Sequence, residues 1–153
     1  MALFLTVAVY VPHKKGKLFT WFQDPGNKYE VHFTLMWGLV IFLTWFLDRS
    51  FLLGVIPVLF MAVGDGVTGI VRNLRYRERV KAWEGSAAML LTSVPLGMFL
   101  GWAGVLAAIL STLAERQKHL DDNIAVPVVA LSVLVMARML APAILRNLWL
   151  ILC

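Results

Sequence analysis

AAMLLTSVPLGMFLGWAGVLAAILSTLA, residues 87–114, runs for 28 residues without a charge. As one α-helix it would be about 42 Å long at a rise of about 1.5 Å per residue, against a bilayer core of about 30 Å. It contains Pro95, Gly97, Gly101 and Gly104, all residues that permit a break. The spacing predicts two short helices that part near Gly101–Gly104, with the second running through Glu115 to about Lys118.

Three further apolar runs flank this stretch. His32–Leu47 is apolar and aromatic and closes on Asp48-Arg49. Phe51–Val71 follows, with Asp65 as its one ionisable residue. Ile124–Ala137 is uncharged, and its pattern continues past Arg138 to about Leu145. Met1–Val11 is too short to span alone and reads as a shallow segment or the end of a span, while Leu148–Cys153 is a short apolar tail without a clear place. Met1–Val11 lacks a basic leader and a small-residue cleavage site, so no signal peptide is expected.

Composition agrees. Apolar residues make up 60% of the 153 and charged residues 15%, against roughly 45–50% and 25% in soluble domains. A soluble domain of this length cannot hide so much apolar surface. The chain is expected to be all-α, a polytopic transmembrane helical bundle of about five to six segments. One domain, 1–153, would hold a motif-bearing core at 51–140. A disulfide scaffold, a disordered chain and a cytosolic enzyme are excluded, and Cys153 is the only cysteine.

The net charge of +5 reads as topology rather than as a nucleic-acid surface. With the 28-residue run split, the loops Pro12–Val31, Arg72–Gly85 and Arg116–Asn123 share one side. Eleven of the 14 Lys and Arg lie there, leaving Arg49, Arg138 and Arg146 opposite. That side is expected to be cytoplasmic, in the cell membrane or, in a eukaryote, the endoplasmic reticulum. An unsplit run gives the same tally, so charge orients the first loops without deciding the split.

Three constellations could carry chemistry. Gly64-Asp65-Gly66-Val67-Thr68-Gly69 puts a carboxylate inside an apolar helix, where an acid is unfavourable and usually functional. At helical spacing Asp65, Thr68, Gly69 and Arg72 share a face. A backbone bare of side chains beside a carboxylate could admit a phosphate and its metal ion. The competing reading is close packing of small residues. In the basic loop Arg72–Ser86, the segment Lys81-Ala82-Trp83-Glu84-Gly85-Ser86 sets a cation, a carboxylate, a glycine and a hydroxyl at the mouth of the next helix. The arginines read as topology and lipid attraction, and Glu84 and Ser86 could equally cap the helix. Asp121-Asp122-Asn123 offers oxygen ligands suited to Mg2+ just before a span, or a helix cap. His13, His32 and His119 lack metal-ligand spacing, and neither a G-x-S-x-G elbow nor a Walker motif occurs.

In order, G-D-x(3)-G in a membrane helix, a basic loop closing on K-x-x-E-G-S, and E-x(5)-D-D-N-x-x-V-P resemble the dolichol kinase, phytol kinase and CTP-dependent diacylglycerol kinase family. The match runs from about Gly64 to Pro127. Where the family commonly has a glycine soon after the G-D helix, Arg72-Asn73-Leu74-Arg75 stands here.

The resemblance implies an integral-membrane enzyme that phosphorylates a lipid hydroxyl, with CTP as donor. It places Gly64, Asp65, Gly69, Lys81, Glu84, Gly85, Ser86, Glu115, Asp121, Asp122 and Asn123 in the nucleotide–metal site. On that basis Asp65, Glu84 and Asp122 are the expected catalytic residues. Gly64, Gly66, Gly69, Arg72, Lys81, Gly85, Ser86 and Asn123 would meet the nucleotide. Asp65, Glu84, Glu115, Asp121 and Asp122 would hold Mg2+. Asp122 or Glu84 would take the proton of the alcohol. The expected partners are a membrane lipid and a nucleoside triphosphate, without nucleic acid, and self-association is left open. The alternatives are a cytidylyltransferase acting on a lipid phosphate and a small non-enzymatic carrier that uses Asp65 for transport.

Overall fold

The computed structural model describes residues 1–19, 23, 25–26, 28–76, 82–117 and 120–145. These residues are helical, with no strand among them. The helices are α1 (Ala2–Lys14), α2 (Tyr29–Leu47), α3 (Leu52–Leu59), α4 (Asp65–Tyr76), α5 (Trp83–Gly97), α6 (Gly101–Glu115) and α7 (Asp122–Leu140). A π-helical turn, Phe60–Gly64, joins α3 to α4, so that residues 52–76 form one continuous helical run. Short 3-10 turns, Met98–Leu100 and Pro142–Leu145, follow α5 and α7.

Four runs are long and apolar enough to cross a bilayer: Tyr29–Leu47, Leu52–Tyr76, Trp83–Glu115 and Asp122–Leu140. The protein is a helical membrane protein. Its outward faces are as apolar as its core, with Phe46, Leu91, Trp102 and Met139 all exposed, as expected where lipid is the solvent.

Trp83–Glu115 is folded back on itself. Gly97 and Gly104 meet backbone to backbone, and each occupies the space where the other would place a Cβ. At the far end the Ser86 hydroxyl donates to the Glu115 carboxylate at 3.3 Å. Contacts stepping forward on α5 and backward on α6 define an antiparallel hairpin. The turn is made at Gly101, whose φ of +65° favours glycine. The expected split is therefore present, with the break at 98–101, slightly ahead of Gly101–Gly104. As placed, α6 ends at Glu115, short of Lys118.

Inter-helix bonds order the rest. Ser111 Oγ donates to the Val126 carbonyl, pairing α6 with α7. Asn123 Nδ2 donates to the Tyr29 carbonyl, bringing the starts of α2 and α7 together. Gly54 fits against Thr44, so α3 returns alongside α2. Small residues close the α6–α7 seam, where Ala103, Ala107, Ala108 and Ala130 are fully buried. In lipid, such close approach replaces the hydrophobic drive as the source of cohesion. Phe60, Met61, Met89 and Leu134 fill the centre.

Two distinct ends result. The starts of α2, α5 and α7 lie at one end; the Asp48–Phe51 turn, the 98–100 turn and the close of α7 lie at the other. At the second end the Asp48 carboxylate accepts the Ser50 hydroxyl at 2.6 Å and the Ser50 amide at 3.0 Å. These bonds, aided by the charge of Arg138, hold its pKa below the ordinary 3.8. Helix α1 is a half-length helix with no buried residue. It lies antiparallel along α2, with His13 on Glu30 at 3.0 Å and Ala2 against Gly38.

Candidate functional site

The four glycines near Asp65 and Ser86 divide into two kinds. A Cβ on Gly64 would lie 3.0 Å from Ser93 Oγ and 3.1 Å from Met89, and one on Gly85 would lie 2.9 Å from the Thr68 methyl. These two glycines serve helix packing between α4 and α5, as the small-residue reading anticipates. The contact is tightened by Thr68 Oγ1, which donates to the carbonyls of Gly64 (3.0 Å) and Gly85 (3.1 Å). Gly66 has nothing within 4 Å of its would-be Cβ, and Gly69 has only the Arg72 guanidinium, at 4.0 Å. Glycine in an exposed helix costs about 0.5–1 kcal/mol relative to alanine, and no packing contact at these two positions offsets it. The result is a side-chain-free strip on the open side of α4, with Asp65 at its start and Arg72 over its far end. The π-helical turn ends at Gly64, directly before Asp65, a placement typical of functional helix irregularities.

On the hairpin, Glu115 is 1% exposed and receives the Ser86 hydroxyl. Ser86 therefore links α5 to α6; it does not cap α5, whose start at Ala82 has no side-chain cap. Glu84 is held elsewhere. Its Oε1 accepts the Tyr76 hydroxyl at 3.0 Å and lies 3.5 Å from Arg75 Nε. On α7, Asp121 is a cap: its Oδ1 accepts the Asn123 amide at 2.9 Å, and its Oδ2 meets His32 Nδ1. Asn123 is buried and committed to Tyr29. Asp122 begins α7 and stays partly exposed. Lys81 lies outside the described residues, as do Arg77, Arg79, Lys118 and His119.

The structure thus brings Ser86 and Glu115 together, with the start of α7 at Asp122 at the same end of the bundle, whereas Asp65 lies deeper, where its neighbour Gly64 packs against Met89 and Ser93. It does not gather the expected metal cage. Asp65, Glu84, Glu115, Asp121 and Asp122 are all described, and no three acidic, histidine or cysteine side chains come together to hold an ion. The physical reason is local: Glu84 is drawn to Tyr76 and Arg75, and Asp121 is spent on capping and on His32. Asp65, Glu115 and Asp122 are oxygen donors of the kind Mg2+ takes, one or two at a time beside substrate phosphates and water.

Three contacts carry no sequence signal: Ser86 with Glu115, His32 with Asp121, and Arg116 stacked on Trp83 with 3.4 Å between the guanidinium carbon and the ring centroid. In each case the residues are visible in the sequence, and their meeting depends on the helix order. Compared with family models, curated proteins and solved structures, the chain matches none.

Proposed function

We propose that this chain is a membrane-embedded lipid kinase. It moves the γ-phosphoryl group of a nucleoside triphosphate, CTP foremost, onto the hydroxyl of an isoprenoid alcohol or a diacylglycerol. The observation that carries the reading is the open Gly66–Gly69 strip between Asp65 and Arg72 on α4, whose Thr68 packs on Gly85, next to Ser86. The reaction class comes from the resemblance of the ordered motifs between Gly64 and Pro127 to those of the lipid-alcohol kinases.

In this scheme the triphosphate lies along the bare strip, where no Cβ keeps its oxygens from the helix backbone. The Arg72 guanidinium neutralises phosphate charge. Asp65 and Glu115 face the cationic side of the nucleotide complex, with Ser86 fixing the Glu115 carboxylate through its hydrogen bond. Bound Mg2+ would supply charge neutralisation across the β- and γ-phosphates. The lipid hydroxyl attacks the γ-phosphorus, the bond to the bridging oxygen breaks, and the nucleoside diphosphate leaves. The proton passes to a carboxylate. We assign that role to Asp122, partly exposed at the start of α7. The end bearing Lys14, Lys15, Lys17, Lys28, Arg75 and Arg116 is the cytoplasmic one under the positive-inside rule.

The test is a transfer assay. Purified protein is incubated with γ-labelled CTP or ATP, Mg2+ and a panel of lipid alcohols. Label should enter the lipid and disappear in Asp65→Asn and Asp122→Asn proteins that remain folded. Release of pyrophosphate would assign a cytidylyltransferase instead. Full activity in both variants would refute the site.

A further inference from the structure

On the outer face of the α5–α6 hairpin lies a cleft of about 240 Å³. Its walls are Ala87 and Leu90 from α5 and Ile109 and Leu113 from α6, and Trp83 and Arg116 stand at its mouth. Two hydroxyls also reach it, but both donate within the protein: Ser86 to Glu115 and Thr112 to the Ala108 carbonyl. Arg116 differs. Its guanidinium lies flat on the Trp83 ring, and its Nη1 is buried without a hydrogen-bond acceptor among the described residues. A buried charged donor lacking an acceptor is strongly unfavourable unless something supplies one.

The cleft is lined by exposed apolar residues of a membrane helix pair, at the end of the bundle where α5 starts and α6 closes on Arg116. An occupant must therefore be apolar along its length and anionic at one end. Arginine, held flat by an aromatic ring, matches the planar fork of a phosphate better than a point charge does. Basic pockets between membrane helices take lipid head groups in this way. We propose that the α5–α6 cleft binds a lipid with a phosphate-monoester head, its chain between Leu90 and Ile109 and its phosphate on Arg116. The site needs no nucleotide, so it stands or falls apart from the transfer reaction. A monoester head could come from a resident two-chain lipid or from a phosphorylated isoprenoid alcohol.

Native mass spectrometry of the full chain in neutral detergent, without nucleotide, separates the cases. Phosphatidic acid and farnesyl phosphate are titrated beside diacylglycerol and farnesol of the same chains. At least one phosphorylated lipid should bind about tenfold or more tightly than its neutral counterpart, and the stronger of the two identifies the source. Arg116→Gln should erase that preference, whereas Arg138→Gln, at the opposite end, should keep it. Ile109→Trp, which fills the cleft without touching the cation, should weaken binding of both lipids and covers the case in which Arg116→Gln misfolds. Equal binding of phosphorylated and neutral lipids would overturn the proposal, as would a preference that survives both substitutions.

Discussion

The two ends of the α5–α6 hairpin are built from opposite materials. At the closed end Gly97 and Gly104 press backbone on backbone, with no side chain between them. At the open end the same helices are joined by a hydroxyl–carboxylate bond, Ser86 to Glu115, and by a cation on a ring, Arg116 on Trp83. Bare backbone contact is enough to hold two membrane helices together. A buried carboxylate is therefore unnecessary for cohesion, and it is the proposed function that gives Glu115 a role at the open end.

The sharpest way to break this contrast is at the closed end. Gly104→Val places atoms where the Gly97 carbonyl stands, and neither backbone can yield. A loss of about 3 kcal/mol or more is expected from overpacking, read as collapse of the monodisperse peak and of the thermal transition in detergent. Survival of that variant with an unchanged melting temperature would mean that the hairpin is not packed as described.

At the open end, Glu115→Gln keeps the shape and an acceptor for Ser86 but removes the charge. The fold should persist while phosphoryl transfer falls by about 100-fold or more. An equal loss of stability and activity would make Glu115 a structural residue only.

The glycines give the next contrast. Gly85→Ala should destabilise, because its methyl meets Thr68 at 2.9 Å. Gly66→Ala enters open space and should stabilise the helix by up to about 0.5–1 kcal/mol, while weakening nucleotide use measured as KM for CTP. A Gly66→Ala protein with wild-type KM would leave the bare strip without a ligand. On α7, Asp121→Ala should cost about 1 kcal/mol through the lost cap, and Asp121→Asn should recover most of it in the same melting experiment.

The smallest effect belongs to the end that faces away from the site. Ser50→Ala removes the main cause of the lowered Asp48 pKa. A carboxylate with a depressed native pKa stabilises above its unfolded value, and that contribution is lost as pH falls through the native one. The variant should therefore melt slightly below wild type at neutral pH, and the two curves should converge in acid.

Much of the architecture is written in local composition. The 28-residue uncharged run is too long for one crossing, and its glycines mark where it folds back. Asp65 is conspicuous because an apolar run isolates it. What could not be read is which groups meet. Glu84 looks equivalent to Glu115 along the chain, yet one is drawn outward by Tyr76 and Arg75 and the other is buried under Ser86. Gly64 and Gly66 are indistinguishable as letters, and only the position of α5 makes one a packing contact and the other a gap. Asp121 and Asp122 divide into cap and first helical residue for the same reason, since the choice depends on where the first turn of α7 begins.

Helices α5 and α6 have 15 residues each, or about 22 Å apiece, several ångströms less than a hydrocarbon layer of about 30 Å. A span that short is matched to its bilayer by local thinning, by flanking side chains that reach for the interface or by association with another chain. Each of these puts the boundary between lipid and water closer to this hairpin than to the longer helices beside it.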